Sequence, residues 1–472
     1  MNNLGKSLTR KLGYSFGANI ISLLVSVLTL SFIPKYMSVS DYGLYQLFLF
    51  YFGYIGFLHF GVLGGAIIRY AGCTYFELNY NSLKSQSCIL FIILLFLLLI
   101  LYLINLKVAV FKDSYIVLMF FIAAAAQHII WYSVSILQMS NRIEDAARLQ
   151  FVERVSWGIL SVSAIILGFT NVVHIVFAFC ITRLISMVYS LMFVPEVVKS
   201  SITFDNYIWK EFKTNFALGF PITLSDICSI LVLGIIRFSI SDIWNISVFA
   251  KTSLVLSATF IFLTFVSSAS VVLLPALRQL SNSVADALLL PLNLLISYVF
   301  LVALLFCYPV QLIIELWLPK YADSLVFMGI LFPIIFFEGK FNLLTVTYLK
   351  KLLKTKQILY INIFTMILSF VGCLIWGYIL HNLQLIILWI TIVLAIRCTV
   401  GEFLLSKQLG LSNNIIKEYI YMLLMIICFE VYIFMFNDFS SFALYFVSLL
   451  CYSLIKYSDL KNACHKIKFI IN

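Results

Sequence analysis

Long apolar runs alternate with short polar segments along almost the whole chain. Each run holds about 17–25 residues, the length that an α-helix needs to cross the hydrocarbon core of a membrane. Strands of a membrane barrel need only about ten residues, so the pattern predicts an all-α integral membrane protein with about fourteen transmembrane helices. The predicted spans lie near residues 13–33, 44–68, 87–106, 115–137, 155–170, 173–194, 216–238, 248–274, 288–308, 325–348, 358–380, 383–405, 418–436 and 440–456.

Lysine and arginine concentrate in every second connection of this map. With the N-terminus placed in the cytoplasm, the cytoplasmic segments hold most of the 31 lysines and arginines, and the opposite segments hold few. Cytoplasmic loops of membrane proteins carry such an excess of positive charge. We therefore expect both termini in the cytoplasm. The net charge of +11 is then a topology signal, and we expect no nucleic acid partner.

The composition agrees with a membrane protein and leaves little room for an enzyme. Hydrophobic residues make up 63% of the chain and charged residues 11%, against about 25% charged residues in soluble domains. The predicted connections are too short for a catalytic domain, and the sequence has no P-loop, HExxH or GxSxG motif and no clustered histidine or cysteine ligands. We therefore predict no enzymatic activity, no cofactor and no metal site.

Charged residues inside the apolar runs are the candidate functional residues, because each costs about 2.5–3.5 kcal/mol at the centre of a membrane. Arg183 lies near the middle of the sixth span, where it either contacts substrate or forms a structural ion pair. Asp226 lies at mid-depth in the seventh span, and Arg237 follows within about 20° of the same helical face. That alignment holds only if Pro221 leaves the helical phase unchanged.

Glu338 and Lys340 lie in the tenth span, below Pro333. Two residues apart on a helix, they point in nearly opposite directions, so we expect each to have its own partner. Proline and glycine at this depth favour a broken segment that lines a cavity. Both residues are candidates for substrate contact, with structural pairing to other helices as the alternative.

Three further bases lie near the ends of predicted spans or deep within them. Arg397 lies deep in the twelfth span, five residues before Glu402, and either takes part in transport or belongs to an ion network. Arg69 ends the second span on the positive side, where topology alone accounts for it. Lys251 flanks an outer loop, and its long side chain can reach the membrane surface from there.

A weak internal repeat suggests how the spans are grouped. Leu12-Gly13-Tyr14 opens the first span and Leu218-Gly219-Phe220 opens the seventh, as a duplication of six helices requires. Two such halves have the same orientation in the membrane. We predict one six-helix bundle in residues 1–200 and a second in 201–410, followed by two additional helices and a cytoplasmic tail in 411–472.

Three segments near the N-terminus carry a resemblance to a known family. They are Phe32-Ile33-Pro34-Lys35-Tyr36-Met37, Ser40-Asp41-Tyr42-Gly43-Leu44-Tyr45 and the run from Gly61 to Ala66 that ends in Arg69-Tyr70-Ala71. The sequence resembles the lipid-linked polysaccharide repeat-unit flippases, for O-antigen or capsule, of the multidrug/oligosaccharidyl-lipid/polysaccharide exporter superfamily. The family often has a Gly-Tyr pair before an Ala-Lys element. This chain keeps Ala250-Lys251 but has Trp244-Asn245 upstream.

The resemblance implies two six-helix bundles in a pseudo-two-fold arrangement, plus two C-terminal helices, in the bacterial cytoplasmic (inner) membrane. It implies that the protein moves undecaprenyl-diphosphate-linked oligosaccharides from the inner to the outer leaflet by alternating access. The expected partners are the lipid-linked oligosaccharide, membrane lipids and a coupling H⁺ or Na⁺, with a polysaccharide polymerase complex as a further candidate.

Such a mechanism assigns roles to the intramembrane charges. Arg183, Lys340, Arg237 and Lys251 are the bases expected to attract the diphosphate, while Asp226 and Glu338 balance these bases or bind a coupling cation. The resemblance also makes Arg69 a candidate residue of the substrate cavity, together with Arg397. An inside-negative potential favours outward movement of negative charge, so a dedicated coupling ion is not strictly required. The alternatives are a cation-coupled multidrug antiporter of the same superfamily and, with less support, an integral-membrane glycan polymerase or ligase.

Overall fold

The computed structural model describes residues 21–410, 412–436 and 438–471. Within these residues all regular secondary structure is helical, so the predicted all-α integral membrane fold is confirmed. The α-helices are α1 (Ile21–Tyr36), α2 (Val39–Phe52), α3 (Val62–Tyr70), α4 (Tyr80–Val108), α5 (Ser114–Met139), α6 (Ile143–Ile166), α7 (Val172–Leu191), α8 (Pro195–Lys199), α9 (Asn206–Ile243) and α10 (Ile246–Gln279). They continue with α11 (Asn282–Ala303), α12 (Cys307–Trp317), α13 (Leu325–Leu331), α14 (Ile334–Lys340), α15 (Thr347–Lys351), α16 (Thr355–Gly372), α17 (Leu383–Gln408), α18 (Ser412–Met435), α19 (Asp438–Ile455) and α20 (Tyr457–Ile471).

The lengths of these helices match the spans that the apolar runs predict. Ten helices of the described residues are long and apolar enough to cross a membrane, or thirteen spans if each of three bent helix pairs counts as one. The shorter apolar helix α1 overlaps the first predicted span, whose residues 13–20 lie outside the described residues. The fifth and sixth spans, which form nearly one apolar stretch, are separate helices, α6 and α7.

Helix α6 begins earlier than predicted. The apolar run starts near residue 155, but the helix starts at Ile143 and carries Glu144 and Asp145 in its first turn. Acidic side chains stabilise the first turn of a helix because they face its positive dipole end. The helix therefore extends beyond the apolar run, and Glu153 becomes a helical residue instead of a loop residue.

Two predicted spans are broken in the structure. In the second span the axis turns by 54° between the segments Val39–His59 and Val62–Tyr70, at a turn where Phe60 and Gly61 have positive φ angles of 49° and 83°. Hydropathy does not predict this break, because the residues on both sides are apolar. In the tenth span the axis turns by 45° at Pro333, which confirms the break predicted there. A π-helical turn, Phe341–Val346, follows α14, and such turns are frequent at functional sites.

Helix α9 runs from Asn206 to Ile243 without a break at Pro221. Proline lacks a backbone N–H and usually kinks or ends a helix, but membrane helices tolerate it when neighbouring groups satisfy the freed carbonyl. Pro221 therefore does not reset the helical phase between Asp226 and Arg237, as the sequence argument required.

The chain divides into two compact units, Met1–Ile227 (unit 1) and Cys228–Asn472 (unit 2). Among the described residues, unit 1 contains α1–α8 and the first part of α9, and unit 2 contains the remainder. The domain boundaries expected after residues 200 and 410 stay predictions.

Within unit 1, glycines allow α3 and α9 to pack with their backbones in contact. A Cβ atom on Gly65 would overlap the carbonyl group of Asn215, and one on Gly219 would overlap the carbonyl oxygen of Gly61. Gly61 and Gly65 are four residues apart and share one face, the spacing that lets membrane helices approach most closely. This contact fixes the end of α3, which carries Arg69, against α9.

We expect Gly65→Ala to lower the free energy of unfolding by about 1–3 kcal/mol or more, because backbone atoms cannot move aside for the methyl group. Thermal unfolding of the purified protein and its abundance in the membrane measure the effect. Gly64→Ala is the matched control, since a Cβ on Gly64 meets no atom within 4 Å. Equal behaviour of the two variants would contradict the proposed helix contact.

Candidate functional site

Most of the predicted intramembrane bases pair with carboxylates on neighbouring helices of their own unit. Unit 1 contains the pairs Arg69–Glu211 and Arg183–Glu153, and unit 2 contains Arg397–Glu338, Lys340–Glu402 and Lys251–Asp323. Pairing of this kind is the general way in which a membrane interior accommodates charge. The pairs differ in how much of each base stays exposed, and this difference decides which of them can meet a ligand.

Arg183 lies about 17 Å along α7, a helix about 30 Å long. Its Nη1 donates a hydrogen bond to Glu153 of α6, and its guanidinium carbon lies 4.5 Å from the ring centre of Phe179 and 5.4 Å from that of Phe52. Its Nε is buried and has no hydrogen-bond partner among the described residues. The side chain is 14% exposed. Arg183 is thus neutralised by Glu153 but keeps one donor without an acceptor.

Arg69 is held by two side chains of α9. Its Nη atoms donate to both carboxylate oxygens of Glu211, at 2.9 and 3.0 Å, and to Oδ1 of Asn215 at 2.8 Å. The amide nitrogen of Asn215 donates in turn to Gln86 of α4, and the hydroxyl group of Tyr70 donates to Glu211. The Arg69 side chain is 26% exposed, the largest fraction among these arginines.

Arg397 is almost completely buried near the middle of α17, with 2% of its side chain exposed. Its Nη1 donates to both carboxylate oxygens of Glu338, at 3.1 and 3.3 Å. Its Nη2 donates to Oγ of Ser229 at 2.6 Å and to Oδ1 of Asn362 at 2.9 Å. The ring centre of Phe341 lies 4.3 Å from the guanidinium carbon.

Lys340 has no exposed side-chain surface, and its partner Glu402 is 4% exposed. The ammonium nitrogen lies 2.7 Å from Glu402 Oε1 and 3.4 Å from the sulfur atom of Met422. It also lies 5.1 Å from the ring centre of Tyr419 and 5.5 Å from that of Phe336. Because Tyr419 and Met422 belong to α18, this buried pair ties the thirteenth span to the tenth and twelfth.

The structure confirms that Glu338 and Lys340 do not pair with each other. Glu338 pairs with Arg397 and Lys340 pairs with Glu402. Two ion pairs therefore connect α14 with α17, and α14 supplies the acid in one pair and the base in the other. The four charges cancel. Sequence spacing predicted separate partners but could not identify them.

Of the remaining predicted residues, Lys251 pairs with a largely exposed acid, Arg237 packs against buried residues and Asp226 lies at an exposed position. Lys251 donates to Asp323 at 2.7 Å, and the Asp323 side chain is 84% exposed. Arg237 Nη2 donates to Ser253 at 3.2 Å, and its guanidinium group lies over the ring of Phe249. Asp226 lies on an exposed side of α9.

Outside the spans of unit 1, a hydrogen bond to a carboxylate joins the connection between α3 and α4 to helix α8. Tyr75, between α3 and α4, donates a hydrogen bond of 2.7 Å to Glu196 of α8. This bond lowers the pKa of Glu196, and burial raises the pKa of the Tyr75 hydroxyl. Lys84 of α4 donates to the carbonyl groups of Val198 and Ser200, so the end of α8 is fixed against α4.

Sequence reasoning missed the partners Glu153, Glu211, Ser229 and Asn362. Glu153 lies outside the predicted fifth span, because the apolar run begins after it. Glu211 and Arg69 are separated by 142 residues, and no pattern in a single sequence connects them. The sequence places Glu402 five residues after Arg397, and this spacing does not identify it as the partner of Lys340.

The comparisons with known proteins agree with this architecture. Residues 8–281 match the sequence profile of a family described as "Polysaccharide biosynthesis protein". The sequence search among proteins of curated function found no match.

Several solved structures of membrane transporters have a similar fold. The lipid II flippase MurJ, in an inward closed conformation, has a TM-score of 0.65 at 16% identity, over 95% of this chain and 98% of that chain. A multidrug resistance MATE family transporter of the MOP superfamily, in an inward-facing conformation, has a TM-score of 0.59 at 14% identity, over 84% and 99% of the two chains. A Vibrio cholerae MATE transporter has a TM-score of 0.58 at 17% identity, over 88% and 100%. These identities are low, so the likeness establishes the fold. Together with the family match, it confirms the resemblance found in the sequence.

We expect Lys340→Ala to lower the free energy of unfolding by about 3–5 kcal/mol, because it leaves the Glu402 carboxylate buried without a counter-charge. Thermal unfolding in detergent measures the loss. The double variant Lys340→Met/Glu402→Leu should recover most of it, since no charge is then left behind. Lys251→Ala is the control and should cost at most about 1 kcal/mol, because Asp323 remains hydrated. A Lys340→Ala protein as stable as Lys251→Ala would refute the buried pair.

Proposed function

This chain belongs to the polysaccharide biosynthesis protein family, and from that membership we propose that it is a flippase. Its substrate is an undecaprenyl-diphosphate-linked oligosaccharide repeat unit, which it moves from the inner to the outer leaflet of the bacterial cytoplasmic membrane by alternating access. The fold that it shares with the lipid II flippase MurJ and with MATE transporters supports membrane transport by this chain. Both termini lie in the cytoplasm, as the distribution of basic residues indicates.

The observation that carries this proposal is the state of Arg183. A guanidinium group near mid-membrane keeps an unpartnered Nε donor and 14% exposure while a single carboxylate balances its charge. Guanidinium is planar and presents several donors in a fixed geometry that matches the oxygens of a phosphate group. The diphosphate of a lipid-linked sugar therefore replaces Glu153 as the partner of Arg183 and also satisfies its free donor.

This exchange of partners suits a carrier, because binding must be favourable at mid-membrane and still reversible. Glu153 keeps the empty carrier neutral and competes with the diphosphate when the substrate leaves. The membrane potential contributes as well, since moving one negative charge outward gains about 2.3 kcal/mol per 100 mV.

Exposure ranks the other predicted contacts. Arg69, which is 26% exposed, is the second contact that we assign to the diphosphate. Lys251, whose partner Asp323 is 84% exposed, and Arg237 follow as contacts near the outer surface. Lys340 and Arg397 are too deeply buried to meet a substrate without repacking of unit 2, so they act on transport through the packing of that unit.

A cation-coupled multidrug antiporter is the second candidate, and the fold of the MATE transporters favours it. Such a protein extrudes cationic compounds, for which an exposed acid such as Asp226 is the appropriate contact. Drug efflux that depends on Asp226 and is indifferent to Arg183 would support the antiporter over the flippase.

We expect Arg183→Ala to reduce translocation of a lipid-diphosphate oligosaccharide at least about tenfold, the equivalent of about 1.4 kcal/mol, with little change in membrane abundance. Proteoliposomes with a fluorescent lipid-linked sugar measure the rate, and surface glycan measures it in cells. Arg183→Lys should retain part of the activity, because lysine keeps the charge but not the planar set of donors.

The matched control is Arg148→Ala on α6, whose side chain is 53% exposed and should leave transport unchanged. Full translocation by an abundant Arg183→Ala protein would refute the assignment of the diphosphate to this arginine.

A further inference from the structure

The surroundings of Arg397 have the chemistry of a cation site. Four oxygen atoms surround its guanidinium group: two from Glu338, one from Ser229 and one from Asn362. Carboxylate, amide and hydroxyl oxygens are the ligands that hard metal cations take in proteins. They come from three helices, α14, α9 and α16, and converge on one point near the middle of α17.

The guanidinium group completes this site in the way that a bound ion would. It neutralises Glu338, it satisfies the oxygens of Ser229 and Asn362, and the ring of Phe341 covers it at 4.3 Å. Only 2% of the side chain is exposed, so water does not share this role to any extent. Without the guanidinium group, the Glu338 carboxylate, which is only 13% exposed, would keep one hydrogen bond from the Asn342 amide at 2.8 Å but would lose its counter-charge.

We propose that Arg397 is a built-in cation. It permanently occupies the set of four oxygen atoms from Glu338, Ser229 and Asn362, the oxygen cage, and takes the place of an exogenous monovalent cation at Glu338. Glu338 is then the fixed counter-ion of Arg397 and binds no coupling cation. The oxygen cage does not depend on the proposed function. Only its consequence for the energetics of transport rests on that function.

The proposal makes a specific statement about Arg397→Ala. Removing the guanidinium group leaves the four oxygens in place and one negative charge uncompensated, so the cage becomes a site for Na⁺ or for free guanidinium ion. A ligand that binds only the folded state raises its stability as the ligand concentration rises. The wild-type protein, whose cage is filled, should give no such response.

The test is thermal unfolding of the purified full-length protein, with Na⁺ exchanged for choline at constant ionic strength, and separately with millimolar guanidinium chloride. For Arg397→Ala we expect a saturable rise of about 2–4 °C in the unfolding temperature with Na⁺ or guanidinium, and for wild type no change. Arg397→Gln, which fills more of the space, replaces Arg397→Ala in the measurement if the alanine variant is not recovered folded.

Two controls separate the cage from a general effect of salt. Arg397→Ala/Glu338→Gln lacks the carboxylate and should lose the response to Na⁺. Arg183→Ala also leaves a carboxylate behind, but Glu153 has no comparable set of oxygens in the described structure, so it should give no saturable response.

Two results would overturn the proposal. One is a folded Arg397→Ala or Arg397→Gln protein whose unfolding temperature is the same in Na⁺ and choline. The other is saturable stabilisation of the wild type by Na⁺ that Glu338→Gln abolishes. Failure to find any lipid-linked sugar transport would instead count against the proposed function and would leave these stability measurements unaffected.

Discussion

The free energy of an unpaired charge in hydrocarbon is the constraint on which this structure depends. Most of the bases deep in the described helices are balanced by carboxylates of the same unit, and the partners are distant in sequence, as for Arg69 and Glu211. Removing one member of a buried pair costs several kcal/mol, whereas the intact pair contributes little net stability. The pairs therefore specify which helices lie side by side more than they strengthen the fold.

The two units meet this constraint differently. In unit 1 the pairs retain solvent contact, since the side chains of Arg69 and Arg183 are 26% and 14% exposed. In unit 2 the pairs of Arg397 and Lys340 are almost dry and are enclosed by aromatic rings. A partly hydrated pair can exchange its partner for a ligand, while a dry pair holds helices in register. In the proposed flippase, ligand contact therefore falls to the pairs of unit 1, and the dry pairs of unit 2 hold the helices together.

The sequence predicted the membrane class, the number of spans and the break at Pro333, because length, hydropathy and proline are local signals. It also predicted that Glu338 and Lys340 have separate partners, because this follows from helical geometry. The bend at Gly61 was not predictable, since the apolar run continues through it. The partners and the burial of each base could not be predicted either, because both depend on how distant helices pack. Arg183 and Lys340 look alike in sequence and differ in the structure by their exposure, 14% against none.

The linkage of α14 to α17 and α18 has a consequence for biogenesis. Glu338 and Lys340 leave the ribosome before Arg397, Glu402 and Tyr419 of α18 have been synthesised. At about 5–20 residues per second, the roughly 60 residues between Glu338 and Arg397 take on the order of 3–12 s. During that interval two charges of the nascent tenth span lack their final partners. The insertion machinery or the helices already in place must therefore shield this segment until the twelfth and thirteenth spans arrive.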